Sequence, residues 1–415
     1  MRRPDLSHAL AVVATTAILV SCNGPQRVVS VQSQISQIDV GRSVENLDGY
    51  RVIFDFGSAS DCLDGAVPLG GLILVNGRFY GTTFGGGSTY GGTVYSISPQ
   101  GSENVVYSFP RYGGGPNGTV ARLVAWKTGL YGTIRKGGVY NGGYLFRVDV
   151  TGFLRILHNF GRRSDGSSPQ AALTRVNNKL YGTTVQGGTN GDGTVFAVDI
   201  KSGRERALHS FTGKPDGRQP DADLTMLNGT LYGTTAYGGT HDFGTVFSVN
   251  MNTGATNVLY SFKNSPDGLD PEAGLVAVNG MLYGTTASGG THGSGTVFSV
   301  KTSGLERVLY NFADTPDGAN PRADLIAADG ALYGTTESGG APPSGGTLYS
   351  VQIATGTEQV LHSFGKGTDG ASPVAPVTAV GEKLYGVTSF GGPYFSYCVS
   401  GSGGSSLGTV FKWSL

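Results

Sequence analysis

The chain has 415 residues, of which 70 are glycine, and its 29 basic and 29 acidic residues give a formal net charge of zero. Apolar residues make up 38% of the sequence and occur in short runs along it, so the composition excludes a disordered chain. A chain without net positive charge or a basic run lacks the electrostatic footprint that nucleic-acid binding requires.

The N-terminal segment is typical of an export signal. Arg2 and Arg3 precede an apolar stretch at residues 9–20, which is shorter than the ~20 residues of a membrane span. It ends in Leu19-Val20-Ser21-Cys22, which resembles the lipobox of bacterial lipoproteins. The resemblance implies that residues 1–21 are removed and that Cys22 carries a lipid; the alternative is an ordinary secretory signal with an incidental cysteine. Residues 22–48 are polar, and we expect them to form a tether between lipid and body.

From residue 49 onward, one motif recurs seven times at intervals near 50 residues. It consists of Leu-Tyr-Gly-Thr-Thr, then Gly-Gly, then Gly-Thr-Val-Phe-Ser-Val. Its tyrosines are Tyr80, Tyr131, Tyr181, Tyr232, Tyr283, Tyr333 and Tyr385. A fixed period of this length with several short strands per unit is typical of a β-propeller. The sequence therefore predicts one all-β domain over residues 49–415, a seven-bladed propeller with four antiparallel strands per blade.

One repeat shows how a blade is expected to form. Strands are predicted at residues 257–262, 275–278, 281–286 and 295–300. The dipeptide Asn279-Gly280 favours a tight hairpin between the second and third of these strands. Gly284 inside the third strand is expected to allow close packing. An Asp-Gly-x-x-Pro element follows the first strand, where Asp and Gly are typical turn residues.

The two ends of the domain are predicted to complete one blade. The run that ends each unit first occurs at residues 50–56, before any complete unit, and the last unit stops at residues 408–413 without it. We therefore expect residues 51–56 to pair with residues 409–413. Cys62 and Cys398 lie in loops on the same face of this closing blade, and disulfides persist in exported proteins. A Cys62–Cys398 disulfide is predicted; the alternative is two thiols that never meet.

The repeated residues resemble the GloVer tandem repeat of bacterial exported proteins, whose membrane anchor varies between members. The resemblance covers the chain from about residue 50. It implies a propeller-like body displayed at the cell surface or in the periplasm, and it supplies no catalytic residues. Kelch repeats are a more distant likeness, since their outer-strand tryptophan is missing here.

Departures from the repeat mark candidate ligand sites. The loop at residues 392–408 is longer than its counterparts and contains Tyr394, Phe395 and Tyr397, with Cys398 as a tether. Aromatic side chains on a fixed loop predict a ligand platform. The alternative is a loop that only covers the seam between the first and last strands.

A second candidate surface lies in loops of other units. His241 and His292 occupy matching loop positions, and Tyr140 falls in the same column, which predicts a polar-aromatic strip that could line a carbohydrate groove. Trp126 and Arg135 of the second unit could add a basic patch for an anionic glycan. Plain surface loops and scattered solvated charges are the alternative.

The remaining histidines and motifs indicate structure more than chemistry. His158, His209 and His362 replace the usual tyrosine of the outer strand, so we expect structural roles for them. No cofactor or metal site is predicted, and no nucleophile elbow, phosphate loop, zinc motif or dinucleotide fingerprint occurs.

Three functions follow from these expectations. The favoured hypothesis is a monomeric, lipid-anchored propeller at the outer membrane, cell surface or periplasm that binds a glycan or an envelope protein without catalysis. The alternatives are a carbohydrate-active hydrolase or lyase with a site on the loop face, and a structural or adhesive surface protein. Propellers host all three classes, so the fold does not decide between them.

Overall fold

A computed structural model describes residues 49–113, 118–162, 164–393, 395–396 and 405–415. Within these residues, seven four-stranded antiparallel sheets form the blades of a β-propeller, as the repeat predicts. The helical structure of this part is limited to a 3-10 turn, η1 (Ser60–Cys62). No helix in the described ranges is long and apolar enough to cross a membrane.

The first strand, β1 (Tyr50–Asp55), precedes the first complete blade. Blade 1 contains β2 (Ile73–Val75), β3 (Arg78–Thr83), β4 (Tyr90–Ile97) and β5 (Glu103–Pro110). Blade 2 contains β6 (Val124–Trp126), β7 (Gly129–Ile134), β8 (Tyr144–Asp149) and β9 (Leu154–Asn159). Blade 3 contains β10 (Thr174–Val176), β11 (Lys179–Thr184), β12 (Thr194–Asp199) and β13 (Glu205–Ser210).

The next three blades add two-residue strands that pair near the ends of the sheets. Blade 4 follows β14 (Gly217–Arg218) and contains β15 (Thr225–Leu227), β16 (Thr230–Thr235), β18 (Thr245–Asn250) and β19 (Thr256–Ser261), with β17 (Tyr237–Gly238) paired to β14. Blade 5 follows β20 (Gly268–Leu269) and contains β21 (Val276–Val278), β22 (Met281–Thr286), β24 (Thr296–Lys301) and β25 (Glu306–Asn311), with β23 (Ser288–Gly289) paired to β20. Blade 6 follows β26 (Gly318–Ala319) and contains β27 (Ile326–Ala328), β28 (Ala331–Thr336), β30 (Thr347–Gln352) and β31 (Glu358–Ser363), with β29 (Ser338–Gly339) paired to β26.

Blade 7 is assembled from both ends of the domain. It contains β32 (Thr378–Val380), β33 (Lys383–Thr388), β36 (Thr409–Ser414) and, as its outermost strand, β1; a short pair, β34 (Phe395–Ser396) and β35 (Ser405–Ser406), lies between β33 and β36. The register places Tyr50 opposite Trp413 and Asp55 opposite Thr409. The predicted closure is therefore confirmed.

The three-residue strands lie innermost in their blades. Those of neighbouring blades contact one another, as β2 does β6 and β21 does β27, so they surround the propeller axis. The strands predicted for residues 257–300 match β19, β21, β22 and β24 to within one residue. The two-residue pair β20–β23 was not predicted.

The repeated motif is explained by packing within and between blades. Gly284 lies opposite Phe298 in the sheet, and a Cβ atom at Gly284 would lie 2.7 Å from Cζ of that ring, so the glycine makes room for it. The Phe298 ring is fully buried and packs at 5.1 Å between centroids against Phe262 of the preceding blade. Equivalent aromatic pairs occur at all seven interfaces between the described blades, with centroids 4.8–5.1 Å apart. Burial of these rings therefore stabilises each of these interfaces.

The seam also brings together the two loops of the predicted disulfide. Cys62 is 1% exposed, and in its loop the Val67 N–H donates a 2.9 Å hydrogen bond to the Leu407 carbonyl of the last loop. Cys398 lies outside the described residues, so the disulfide stays a prediction.

Candidate functional site

Each blade begins with a segment that leads from the outer rim to its innermost strand. In blades 3–6 this segment has the pattern Pro-x-Ala-x-Leu. The alanine belongs to the framework, because its carbonyl accepts a hydrogen bond from a threonine of the preceding blade, as Ala273 does from Thr234 at 2.9 Å. The two positions marked x vary between blades and are not part of this repeated framework.

These variable positions surround a cavity of about 110 Å³, which we call the channel mouth. Residues of all seven blades line it beside the innermost strands, so it lies at one end of the propeller axis. Its charged residues are Arg122, Asp221, Asp223, Glu272, Arg322 and Asp324, from blades 2, 4, 5 and 6. The variable positions of blades 1, 3 and 7 are uncharged, for example Leu69, Gln170 and Val374. The repeat therefore breaks down at the channel mouth, and charge collects on one side of it.

Two of the acids form a pair across blade 5. Asp223 and Asp324 come from blades 4 and 6, and Gly274 between them has no side chain to separate them; a Cβ atom there would lie 2.9 Å from Oδ1 of Asp324. The N–H of Gly274 donates a 2.6 Å hydrogen bond to that oxygen. Burial, the charge of Asp324 and a hydrogen bond between the two carboxyl groups raise the pKa of Asp223 well above its usual range, against a weaker opposing effect of Arg122. Burial beside a second carboxyl group thus favours the protonated form of Asp223.

Asp221 is a second acid with a perturbed pKa. Burial raises its pKa to about 8, with a further contribution from the charge of Glu272. Its Oδ1 atom is buried and has no hydrogen-bond partner within the described ranges. Arg322 forms ion pairs with Glu272 and, at 2.7 Å, with Glu337, so its charge is shared between two carboxylates.

This arrangement suits recognition of a small polar or cationic group. An ammonium or guanidinium group entering the cavity could donate hydrogen bonds to the carboxyl oxygens of Asp221 and Asp223, including the unpartnered Oδ1 atom of Asp221. The cavity has the volume of only a few water molecules, each of which occupies about 30 Å³ in the liquid. It therefore admits one functional group of a larger ligand, and the remainder would contact the surrounding loops.

The carboxyl pair differs in spacing from the acids of glycoside hydrolases. Those enzymes place two carboxyl groups about 5–5.5 Å or about 6.5–9.5 Å apart, so that a sugar carbon or a water fits between them. Asp223 and Asp324 lie close enough for a hydrogen bond between their carboxyl groups to contribute to the raised pKa of Asp223. The pair therefore does not match either arrangement.

Four of the sequence-predicted residues, Tyr140, His241, His292 and Arg135, lie on the face that carries the channel mouth, which we call the mouth face. Tyr140, His241 and His292 belong to loops between the second and third strands of blades 2, 4 and 5, and in an up-and-down blade these loops emerge at the end where the innermost strand begins. Tyr140 is 48% exposed. His241 borders a surface cavity of about 600 Å³ at the outer rim. Arg135 begins the blade 2 loop and places its guanidinium 5.9 Å from the ring centroid of Phe84.

Trp126 is separated from these residues. It ends β6 beside the hairpin turn, at the end of the innermost strand away from the channel mouth. Its ring is flanked by Lys127 Nζ at 4.6 Å and the Arg175 guanidinium at 5.9 Å from the centroid. The structure thus does not bring Trp126 and Arg135 into one patch.

The remaining predicted site residues lie in segments of the chain that the structure describes only in part or not at all. Cys22, Tyr394, Tyr397 and Cys398 lie outside the described residues, and of Phe395 only the backbone is described, in β34. The aromatic platform therefore stays a prediction.

The charged residues of the channel mouth were not predicted from the sequence. The signal that could have found them is the pair of variable columns inside Pro-x-Ala-x-Leu, where Asp-Ala-Asp, Glu-Ala-Gly and Arg-Ala-Asp succeed one another in blades 4–6. Only the propeller topology shows that these columns converge on one axis.

Comparisons with solved structures find only distant similarities among those described next. A chain of a nidogen/laminin complex is 14% identical, with a TM-score of 0.41 over 65% of this chain and 90% of that one. An oligogalacturonate lyase in complex with manganese is 12% identical, with a TM-score of 0.49 over 82% and 86%. A europium-containing methanol dehydrogenase is 11% identical, with a TM-score of 0.46 over 83% and 81%. Likenesses at this level carry no inference about a site or an activity.

No curated protein sequence matches the chain. The model of the Gloeobacter/Verrucomicrobia repeat matches residues 115–280 and 241–415, which together span most of the propeller. These matches fall on the same repeated strands and glycines that build the blades. The chain therefore belongs to the Gloeobacter/Verrucomicrobia repeat family, in agreement with its resemblance to the GloVer repeat.

Proposed function

We propose that this protein is a non-enzymatic binding module of the cell envelope that recognises a glycan or a protein partner through its mouth face. The observation that carries the proposal is that repeated and unrepeated residues have different roles. Repeated glycines, threonines and phenylalanines are used in packing and hydrogen bonds between strands and blades. The charged residues of the channel mouth have no counterpart in that framework, and a ligand site on a symmetric scaffold needs such a local departure.

The chemistry of the channel mouth suggests how a ligand would be held. Arg122 and Arg322 can donate hydrogen bonds to hydroxyl or carboxylate oxygens, and the acids can accept them from hydroxyl or amino groups. A sugar offers both kinds of group, as does a polar protein loop. Exposed side chains of the mouth face, such as Tyr140, would supply a stacking surface around the rim.

Anchoring by lipid is part of the same proposal. Cleavage before Cys22 and acylation of its thiol would attach the propeller to a membrane through residues 22–48, which lie outside the described residues. Such an anchor would keep the mouth face near envelope polymers while leaving the propeller free to reorient.

Binding and catalysis are separated by one experiment. The chain from residue 23 onward is incubated with a panel of envelope and environmental polysaccharides, and both retained protein and released product are recorded. The proposal predicts retention without product. Released product would instead favour the carbohydrate-active enzyme, and neither signal would favour a protein partner or a structural role.

The same assay tests the aromatic platform. Replacing Tyr394, Phe395 and Tyr397 together by alanine is expected to weaken retention if the long last loop contributes to the site. A variant with unchanged retention would restrict recognition to the channel mouth and its nearer loops.

A further inference from the structure

A set of three residues recurs at the outer rim between successive blades, and we call it the rim triplet. Its members are the aromatic or histidine residue near the end of an outer strand, the aspartate of the following Asp-Gly turn, and the first residue of the next blade's outer strand. Between blades 4 and 5 the rim triplet is Tyr260, Asp267 and Glu306, in which the Tyr260 hydroxyl donates a 2.8 Å hydrogen bond to Asp267. Between blades 5 and 6 the Tyr310 hydroxyl donates to Asp317 at 2.9 Å in the same way.

Histidine replaces the tyrosine at three interfaces, with different third members. His209 Nε2 lies 2.9 Å from Asp216, and the third residue there is Thr256. His362 lies 3.1 Å from Asp369, and the third residue is Tyr50, whose ring stacks on the imidazole at 3.9 Å. These contacts agree with the structural role expected for the outer-strand histidines.

The interface between blades 2 and 3 combines three metal-ligand side chains. His158 Nε2 lies 3.1 Å from Asp165 Oδ2, and Glu205 occupies the third position. One ligand atom from each of the three residues lies within 4.8 Å of the others, and within the described ranges no other group of three histidine, cysteine or acidic residues is as compact.

Two oxygens of this rim triplet lack partners. The Asp165 side chain is only 10% exposed, and its Oδ1 atom is buried without a hydrogen-bond partner among the described residues. Oε1 of Glu205 is likewise buried without one. The equivalent oxygens of the Tyr-Asp-Glu sets also lack partners, for example Asp267 Oδ1 and Glu306 Oε1, so the imidazole nitrogen of His158 is what distinguishes this rim triplet. Buried acceptors without partners are costly, and beside a nitrogen ligand one metal ion can satisfy both.

We propose that His158, Asp165 and Glu205 bind a divalent transition-metal ion of the Zn²⁺ class at the rim between blades 2 and 3. One imidazole nitrogen and two carboxylate oxygens form a ligand set that Zn²⁺ accepts, with water in the fourth position. Ligand atoms about 2.0–2.1 Å from a tetrahedral ion are roughly 3.3 Å apart, so the His158–Asp165 distance needs almost no change. Glu205 closes the site by a small side-chain adjustment.

The ion would act as a clasp between two blades. Its ligands come from the outer strand of blade 2, the turn that follows it and the outer strand of blade 3, so binding would add Glu205 of blade 3 to the contact between His158 and Asp165. Blade 2 has the least regular repeat, since its own Asp-Gly turn is missing and Ile134 replaces a repeated threonine. A bound ion would therefore strengthen the ring beside its most divergent blade.

The chain contains its own controls. His158→Tyr converts this rim triplet into the Tyr-Asp-Glu set of blades 4 and 5, which folds without a nitrogen ligand. Glu205→Thr converts it into the His-Asp-Thr set of blades 3 and 4. Thr256→Glu does the reverse, adding the missing ligand beside His209 and Asp216, where a cavity of about 600 Å³ leaves room for the longer side chain.

Isothermal titration with ZnCl₂ after removal of metal by a chelator tests the proposal, with MgCl₂ as the control ion and thermal unfolding as the check of folding. We expect one Zn²⁺ per chain, little binding of Mg²⁺, at least a tenfold loss of affinity in His158→Tyr and Glu205→Thr, and a second equivalent in Thr256→Glu. The Zn²⁺-dependent rise in Tm should disappear in the first two variants. Absence of binding to the original chain, or unchanged affinity in a folded His158→Tyr or Glu205→Thr variant, would overturn the proposal.

Discussion

The acids of the rim triplets make the stability of the propeller depend on pH. Burial and the charge of Asp267 raise the pKa of Glu306 to about 7, against weaker opposing effects of Tyr260 and Lys263. Burial and the charge of Asp317 raise the pKa of Glu358 to about 7 in the same way. Both values exceed the ordinary glutamate value of 4.5. The folded state therefore holds extra protons between pH 4.5 and 7, and its stability is greatest below this range and falls as pH rises through 7.

Glu103 belongs to the same group. Burial raises its pKa to about 7, with an additional effect of Asp64 and a weaker opposing effect of Arg78. A shift from 4.5 to 7 corresponds to about 3.4 kcal/mol per group at full weight. Because these carboxyl groups are only partly buried, solvent screening reduces the figure to about 1 kcal/mol each. Three glutamates then give a loss of about 3 kcal/mol between pH 5 and pH 8, or roughly 4 °C in Tm for a domain of this size.

Thermal unfolding followed by circular dichroism at pH 5, 6, 7 and 8, with a chelator present, measures this loss. The matched variant replaces Glu103, Glu306 and Glu358 by glutamine, which keeps the neutral form at every pH. We expect it to match the original chain near pH 5 and to be about 4 °C more stable at pH 8. A Tm of the original chain that rises from pH 5 to pH 8, or a glutamine variant with the same pH dependence, would refute the reasoning.

Four further substitutions test the closure and packing of the ring, each by the urea concentration at half-unfolding. Phe411→Ala in the closing blade removes a fully buried ring and should cost about 3–5 kcal/mol, and a cost below about 1 kcal/mol would contradict the seam. Cys62→Ser should cost about 2–4 kcal/mol if the predicted disulfide with Cys398 forms, and a reductant should lower the urea midpoint of the original chain to that of the variant. If neither the substitution nor the reductant changes the midpoint, the bond is absent. Gly284→Ala should cost about 1–3 kcal/mol, because its Cβ atom would lie 2.7 Å from a buried ring. Gly280→Ala, in an open turn at φ +81°, should cost only about 1 kcal/mol. A larger cost for Gly280→Ala than for Gly284→Ala would contradict the packing account.

The fold could be predicted because each repeated residue has the same local environment in every unit. Gly284 and Phe298 face each other across two adjacent strands. The same pairing between a glycine and an aromatic residue recurs in each unit and marks the sheet. The closure of the ring could be predicted because the strand pattern at residues 50–56 precedes the first complete unit, while the last unit lacks that strand. The two-residue pair β20–β23 escaped prediction because two residues carry no periodic signal.

The candidate site could not be predicted, for a topological reason. Asp223 and Asp324 are separated by two repeats in the sequence, and each alone resembles ordinary variation at the end of a loop. They meet only because the blades place one position of every unit around a common axis. The sequence predicted structural roles for the histidines of the rim. The proximity of His158 to Glu205 depends on contact between blades and has no signal in a single repeat.

The central claim is that the channel mouth is the recognition site, and a comparison of the two faces tests it most directly. The chain from residue 23 onward is compared with Asp324→Asn and Arg322→Ala on the mouth face and with Trp126→Ala at the opposite end of the channel, by retention on an immobilised polysaccharide panel. Our account predicts that the original chain is retained, that each mouth variant binds at least tenfold more weakly, and that Trp126→Ala binds normally. Normal binding by both folded mouth variants, or loss only in Trp126→Ala, would contradict it, and no retention of the original chain would exclude a glycan of this panel as the ligand.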